Sequence, residues 1–270
     1  MSVQEFDEAL AFGRDELDKI AERFDVPIDE KSPEILAAIG LALHTRQVFR
    51  AVIRDCSTGD IPTAMLSLRA LVEAAILIRW IEVSPLRHYE MWHAEGERQR
   101  LTAAKAWDEM CRRRGWQRRR PPLFTEQGAE EISRSVRRAR ANAVAHGEPL
   151  RIKGTECLPT IERMAHDTND TAIWEAYEVV YRIASPWAHV SERVLVGYQL
   201  EPRADGTHAV PSVFWTDRSI RCVAVPAFAI FLGSASRICG LGVERECLVI
   251  QEGVAQWPSE ALDGVKVATD

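Results

Sequence analysis

The chain has 270 residues, 46% of them hydrophobic and 27% charged, with a formal net charge of −6. That balance excludes a disordered chain and supplies enough apolar surface for one large helical domain or two small ones. The acidic start, MSVQEFDEAL, has no basic n-region, so no secretory signal is expected. The longest apolar run, CVAVPAFAIFLG at 222–233, is broken by Pro226 and falls short of the roughly 20 residues that span a bilayer, so no membrane partner is expected. The six cysteines are scattered without a C-x-x-C pair and read as reduced thiols in a cytoplasmic protein.

In chain order the pattern is helical. Residues 3–24 form an amphipathic helix with Phe6, Leu10, Phe12, Leu17 and Ile20 as its apolar residues. A second helix starts at Ser32–Pro33, with Ser as cap and Pro at the first position, and runs to about Cys56. A third covers about 60–82. A fourth repeats the Ser-Pro start at 84–85 and runs to about Arg114. The consecutive prolines at 121–122 break the pattern, and a fifth helix covers about 127–145, stopping at Gly147. LPTIERMAHD (158–167) reads as a short helix and 170–195 as a long one, bent at Pro186. Gly, Pro and Asp-Gly punctuation over 197–215 suggests a small β-hairpin, and a final helix covers about 218–239. The expected fold is an all-α multi-helix bundle: one domain over 1–251, with 1–30 as a peripheral helix and 252–270 as a loosely ordered tail.

Charge is uneven. Residues 111–140 hold ten arginines and three glutamates, a local +7, so the remainder carries −13. Such asymmetry marks either a solvated helix face or a segment that binds RNA or a nucleotide.

The third helix contains LRALVEAAILIRWI, apolar nearly all round except for its charges. On a helical wheel Glu73 falls at about 40° and Trp80 at about 20° from Arg69. Both charges therefore share a stripe on a helix expected to be central and buried, where an unpaired ion is very costly. Arg79 lies to the other side, its stem long enough to reach solvent. Either Arg69–Glu73 is a structural pair, or Glu73 is an acid or base and Arg69 an anion clamp in a polar pocket. A second stripe, Tyr177, Tyr181, Ser185 and His189, recurs every four residues on the 170–195 helix. Ser185 with His189 offers nucleophilic chemistry, oriented by Glu73, with Arg69, Tyr177 and Tyr181 as substrate-binding groups.

LRALVEAAILIRWI followed by LPTIERMA and YRIASPWAHVS resembles a widespread bacterial helical family of unknown function, with an R-x-x-x-E helix and a later Y-x-x-x-S-x-x-x-H helix. The matching positions are Arg69, Glu73, Tyr181, Ser185 and His189, within about 40–240. RRARANAVAHGE is also similar to the R-x(4–6)-H signature of the HEPN group of helical proteins, many of them ribonucleases of toxin and defence systems. That resemblance implies a metal-independent ribonuclease, commonly a homodimer, with His146 as general base or acid, Arg140 stabilising phosphate charge, and Arg138 among the arginines holding the backbone. Asn142 stands four before His146 as the signature asks, whereas Arg140 stands six before it, about 120° away on an ideal helix.

No phosphate loop, dinucleotide loop or nucleophile elbow is present, and no metal or cofactor is expected; His88, His93 and Glu95 read as a polar helix surface rather than a metal site. Three readings remain: a HEPN-like ribonuclease or RNA- or nucleotide-binding protein, an enzyme or sensor with a small-molecule pocket inside the bundle, and a non-catalytic interaction protein.

Overall fold

A computed structural model describes residues 3–25, 32–115, 125–147, 157–181, 198–203, 206–211 and 216–255. The fold is all-α, with helices α1 (Val3–Glu22), α2 (Pro33–Ser57), α3 (Ile61–Val83), α4 (Pro85–Arg114), α5 (Glu126–Ala145), α6 (Ile161–Asp167), α7 (Thr171–Glu175), α8 (Asp217–Cys239) and α9 (Glu244–Ala255). α7 passes into a π-helical segment, Ala176–Tyr181, and strands β1 (Tyr198–Arg203) and β2 (Gly206–Pro211) form an antiparallel hairpin in which Tyr198 faces Pro211 and Arg203 faces Gly206. Contacts divide the chain into two compact units, Met1–Glu82 with Ala165–Asp270, and Val83–Met164.

In the first unit α8 packs against α1, α2 and α9. Its start is a reciprocal cap: the Ser219 amide donates to the Thr216 hydroxyl, and the Thr216 amide to that of Ser219. Pro226 does not end the helix, and Phe228 stacks on Phe49 of α2 at 4.4 Å. Gly240 and Gly242, both left-handed, turn the chain into α9. The Ser236 hydroxyl locks that corner, accepting from the Val243 amide and donating to Glu244. Gly13 lets α1 come close to α8 and α9: a Cβ there would lie 3.0 Å from Ile250 and 3.1 Å from Val225.

The second unit is built on α4 and α5, which pack together around Ala94, Ala139 and Cys157. Glu95, buried within it, accepts from the Cys157 amide, Gln99 and both Nε and Nη2 of Arg98, so one carboxylate pins the 157 segment to α4.

Several expectations need correction. Phe12 is 62% exposed, off the face that buries Phe6, Leu10, Leu17 and Ile20. Ser32 and Ser84 do not cap with their side chains; their carbonyls receive the first helical bonds, from Leu36 and His88. Side-chain capping falls instead to Asp60, Thr125, Thr160, Asp170 and Thr216. The expected tail begins inside α9, which runs to Ala255 and buries Val254; this helix follows a turn whose second glycine masks its start in the sequence. The bend expected at Pro186 lies outside the described residues, and within them the helix changes geometry earlier, at Ala176. By length and composition α2, α3 and α8 are each long and apolar enough to cross a membrane, a capacity that the interrupted run at 222–233 concealed. Within the protein, 67% of the apolar window of α8 is buried.

Candidate functional site

The site is assembled from α3 and the π-helical segment, both in the first unit. Leu68, Leu71, Val72, Ala75 and Ile76 are fully or almost fully buried and fix the rotation of α3. Arg69 and Glu73 consequently leave the core on one stripe. The Arg69 guanidinium donates from Nη2 to the Tyr181 hydroxyl at 2.9 Å, and its carbon lies 4.8 Å from the Tyr181 ring centre. The same Nη2 is 3.7 Å from a Glu73 carboxylate oxygen. That separation is too long for a tight hydrogen bond and leaves the carboxylate able to accept from another group.

The charge pair was expected to be buried. Instead the Arg69 side chain is 23% and the Glu73 side chain 40% exposed. Contact with water spares both groups most of the desolvation cost of a dry ion pair and makes them reachable from solution. Tyr181 is half-buried, and burial first, then the Glu73 charge, raises its phenol above the ordinary value against the opposing pull of Arg69.

Behind Tyr181 lies a row of rings. Tyr177 stacks on Tyr181 at 5.6 Å, Trp174 meets Tyr177 at 5.5 Å, and His166 meets Trp174 edge-on at 6.1 Å. Trp174 was missed in the sequence; its spacing of three before Tyr177 was the available signal. π-helical turns are rare and are frequent at functional sites. Ser185 and His189 lie outside the described residues, so the structure brings together Arg69, Glu73, Tyr181 and Tyr177 of the expected set.

The other expected set is on α5, in the second unit. Ala139 and Ala143 are buried, Arg140 is half-buried beside them, and Arg134, Arg137, Arg138, Asn142 and His146 are exposed. His146 ends the helix, with Nδ1 2.8 Å from the Asn142 carbonyl. A carbonyl only accepts, so this contact places a proton on Nδ1, and in the neutral ring Nε2 is then the acceptor. Among the described residues no carboxylate pairs with Arg134, Arg137 or Arg138, whereas Arg112 and Arg113 of α4 are both held by Glu109. Among the described residues no group of three or more His, Cys, Asp or Glu side chains is placed to hold a metal ion. None of the six cysteines is in a disulfide.

The model of the DUF5677 family, a family of unknown function, matches residues 36–206, more than half of the chain. The chain belongs to this family. The family stretch takes in α3, α5 and the π-helical segment, and with them Arg69, Glu73, Tyr181, Ser185, His189 and His146. It ends short of the 240 expected from the resemblance, leaving α8 and α9 outside. The match carries no likeness to the HEPN group. No curated protein and no solved structure matches the chain.

Proposed function

We propose that the protein is an enzyme or sensor that binds a small polar ligand carrying an acidic group at Arg69, Glu73 and Tyr181. The observation that carries this reading is the junction of a guanidinium and a carboxylate of the mostly apolar α3 with a phenol of the π-helical segment, at one partly exposed point. Arg69 would clamp the anionic group, Glu73 would accept or return a proton, and the Tyr181 hydroxyl would orient a polar atom. Ser185 and His189 continue the four-residue spacing of Tyr177 and Tyr181, which supports a nucleophile and its base beside the same ligand.

The test is a thermal-shift screen of nucleotides and small carboxylates against wild type, Arg69→Met and Glu73→Gln. A ligand that stabilises wild type and loses its effect in folded variants supports the reading. A ligand equally effective on all three, or no stabilising ligand, removes it.

A second reading is favoured by His146 and by Arg134, Arg137 and Arg138 of α5, which no carboxylate among the described residues pairs: a metal-independent ribonuclease or RNA-binding protein. The Nδ1 contact leaves Nε2 able to take the proton of a ribose 2′-hydroxyl, beside exposed arginines suited to phosphates. In that chemistry the 2′-oxygen bonds to phosphorus, the phosphorus–5′-oxygen bond breaks, and an acid returns a proton to the leaving oxygen. Cleavage of mixed RNA in EDTA by wild type, His146→Ala and His189→Ala separates the readings. Loss in His146→Ala alone supports the α5 site; loss in His189→Ala alone moves the chemistry to Arg69, Glu73 and Tyr181. No cleavage by folded wild type excludes a ribonuclease. If RNA is merely bound, neutralising Arg134, Arg137 and Arg138 together should lower the salt slope by about two, at roughly 0.7 per contact for a single strand.

A further inference from the structure

A separate cleft of about 340 Å³ opens in the first unit, floored by Ala229, Ile230 and Gly233 of α8 and rimmed by Arg79, Arg237 and Arg245. Its arginines hold more hydrogen-bond donors than the neighbouring carboxylates accept. Asp170 is fully engaged: Oδ1 accepts from the Ala172 and Ile173 amides as the cap of α7, and Oδ2 accepts from Arg79 Nε at 3.0 Å. Glu82 accepts from Arg79 Nη1 at 2.7 Å and from Arg237 through both Nε and Nη2. Glu244 receives the Ser236 hydroxyl at 2.8 Å on one oxygen.

The acceptors are thus largely consumed while donors remain. Among the described residues, Arg79 Nη2 and Arg237 Nη1 carry unused N–H groups, and Arg245, which is exposed, has no partner at all. Against them stands one open oxygen of Glu244. The first turn of α9, Glu244 and Arg245, lines the same cleft, so the positive end of a 12-residue helix faces it. Cys247 is no nucleophile here: burial, aided by Glu246 and Glu244, pushes its thiol up to about 12.

We infer that this cleft binds a small polyanion, a metabolite carrying a diphosphate or several carboxylates, through Arg79, Arg237 and Arg245. The site shares no residue with the Arg69–Glu73–Tyr181 cluster. Arg79 lies ten residues along α3 from Arg69, about 80° away around the helix, so either can fail without the other. The volume suits a molecule larger than a single phosphate. The paired arginines are already held in place, so little side-chain freedom is lost when an anion arrives.

The experiment is calorimetric titration of the full chain with pyrophosphate and with citrate at constant ionic strength, chloride being the control anion. Saturable binding of either probe is expected. Arg245→Gln, which removes a side chain with no partner among the described residues, should leave the melting temperature unchanged and weaken binding about tenfold or more. Glu244→Gln keeps an acceptor for Ser236 but removes the adjacent negative charge, and should tighten binding about threefold. Absence of saturable binding up to millimolar probe, or equal affinity in wild type and both variants, overturns the proposal.

Discussion

Arg69 holds Tyr181 in two ways at once, donating to its hydroxyl at 2.9 Å and lying 4.8 Å from the centre of its ring. The contact ties α3 to a segment 112 residues away in sequence and sets Glu73 beside both. Its consequences are measurable on the protein alone.

Tyr181 should titrate above the ordinary tyrosine value. Its phenol is raised by burial and by Glu73, so the folded state holds its proton at a pH where the unfolded chain has released it. The resulting stability is complete below the unfolded value near 10 and is lost as pH rises through the folded value. Ultraviolet difference titration of wild type against Tyr181→Phe should isolate this phenol. Glu73→Gln should move it back down; an unmoved titration would mean that the Glu73 carboxylate does not act on it.

Glu95 should control whether the 157 segment stays attached to α4. Burial alone would raise its carboxyl, but Arg98, the Cys157 amide and Gln99 outweigh burial and hold it below the ordinary value. A depressed folded value gives stability that is present above the unfolded value near 4.3 and is lost as pH falls through the folded one. Glu95→Ala leaves Arg98 and the Cys157 amide without their acceptor and should cost about 3 kcal/mol. Hydrogen exchange at the Cys157 amide checks this, and unaltered protection would show that other contacts secure the segment.

Two helical glycines should respond oppositely to alanine. Gly96 in α4 is exposed with nothing near its missing Cβ, so Gly96→Ala should add about 0.5–1 kcal/mol. At Gly13 the new methyl meets Ile250 and Val225 at 3.0 and 3.1 Å. Those partners are β-branched and stiff, so crowding of about 1–3 kcal/mol cancels or exceeds the helical gain. Urea midpoints of the two variants provide the comparison; a stabilised Gly13→Ala would show that α1 can shift.

Asp18 should make the first unit acid- and salt-sensitive. It bonds Arg46 and Arg50, each through both oxygens, and chiefly the Arg46 bonds hold its carboxyl far below the usual range. The stability is present above the unfolded value near 3.9 and is lost as pH falls below it. Asp18→Asn should lower the melting temperature at neutral pH, and less so in about 1 M salt, where screening acts within about 3 Å. Equal losses at low and high salt would point to packing instead.

Periodicity made most of the fold legible. Apolar residues at helical spacing placed α1 to α6 and α8, because a helix that buries one side must repeat on its own turn. α9 was hidden because the helix over about 218–239 was read as the final one, whereas the left-handed backbone of Gly240 and Gly242 turns the chain into another helix. The capping serines illustrate a different gap. Ser-Pro permits a side-chain cap at 32 and 84, but the bond depends on a side-chain direction that residue type leaves open.

The sequence by itself determined that Arg69 and Glu73 share a stripe, since residues four apart on a helix must, and that Tyr177 and Tyr181 share another. Only the tertiary structure decided that the two stripes meet through Arg69 and Tyr181, that the charge pair keeps contact with water, and that Trp174 extends the aromatic row. The same holds for the cleft rimmed by Arg79, Arg237 and Arg245, whose residues come from α3, α8 and α9. Spacing along one helix is a local property of the backbone. Which helix faces which, and which polar atoms are already satisfied, depends on packing between segments far apart in the chain.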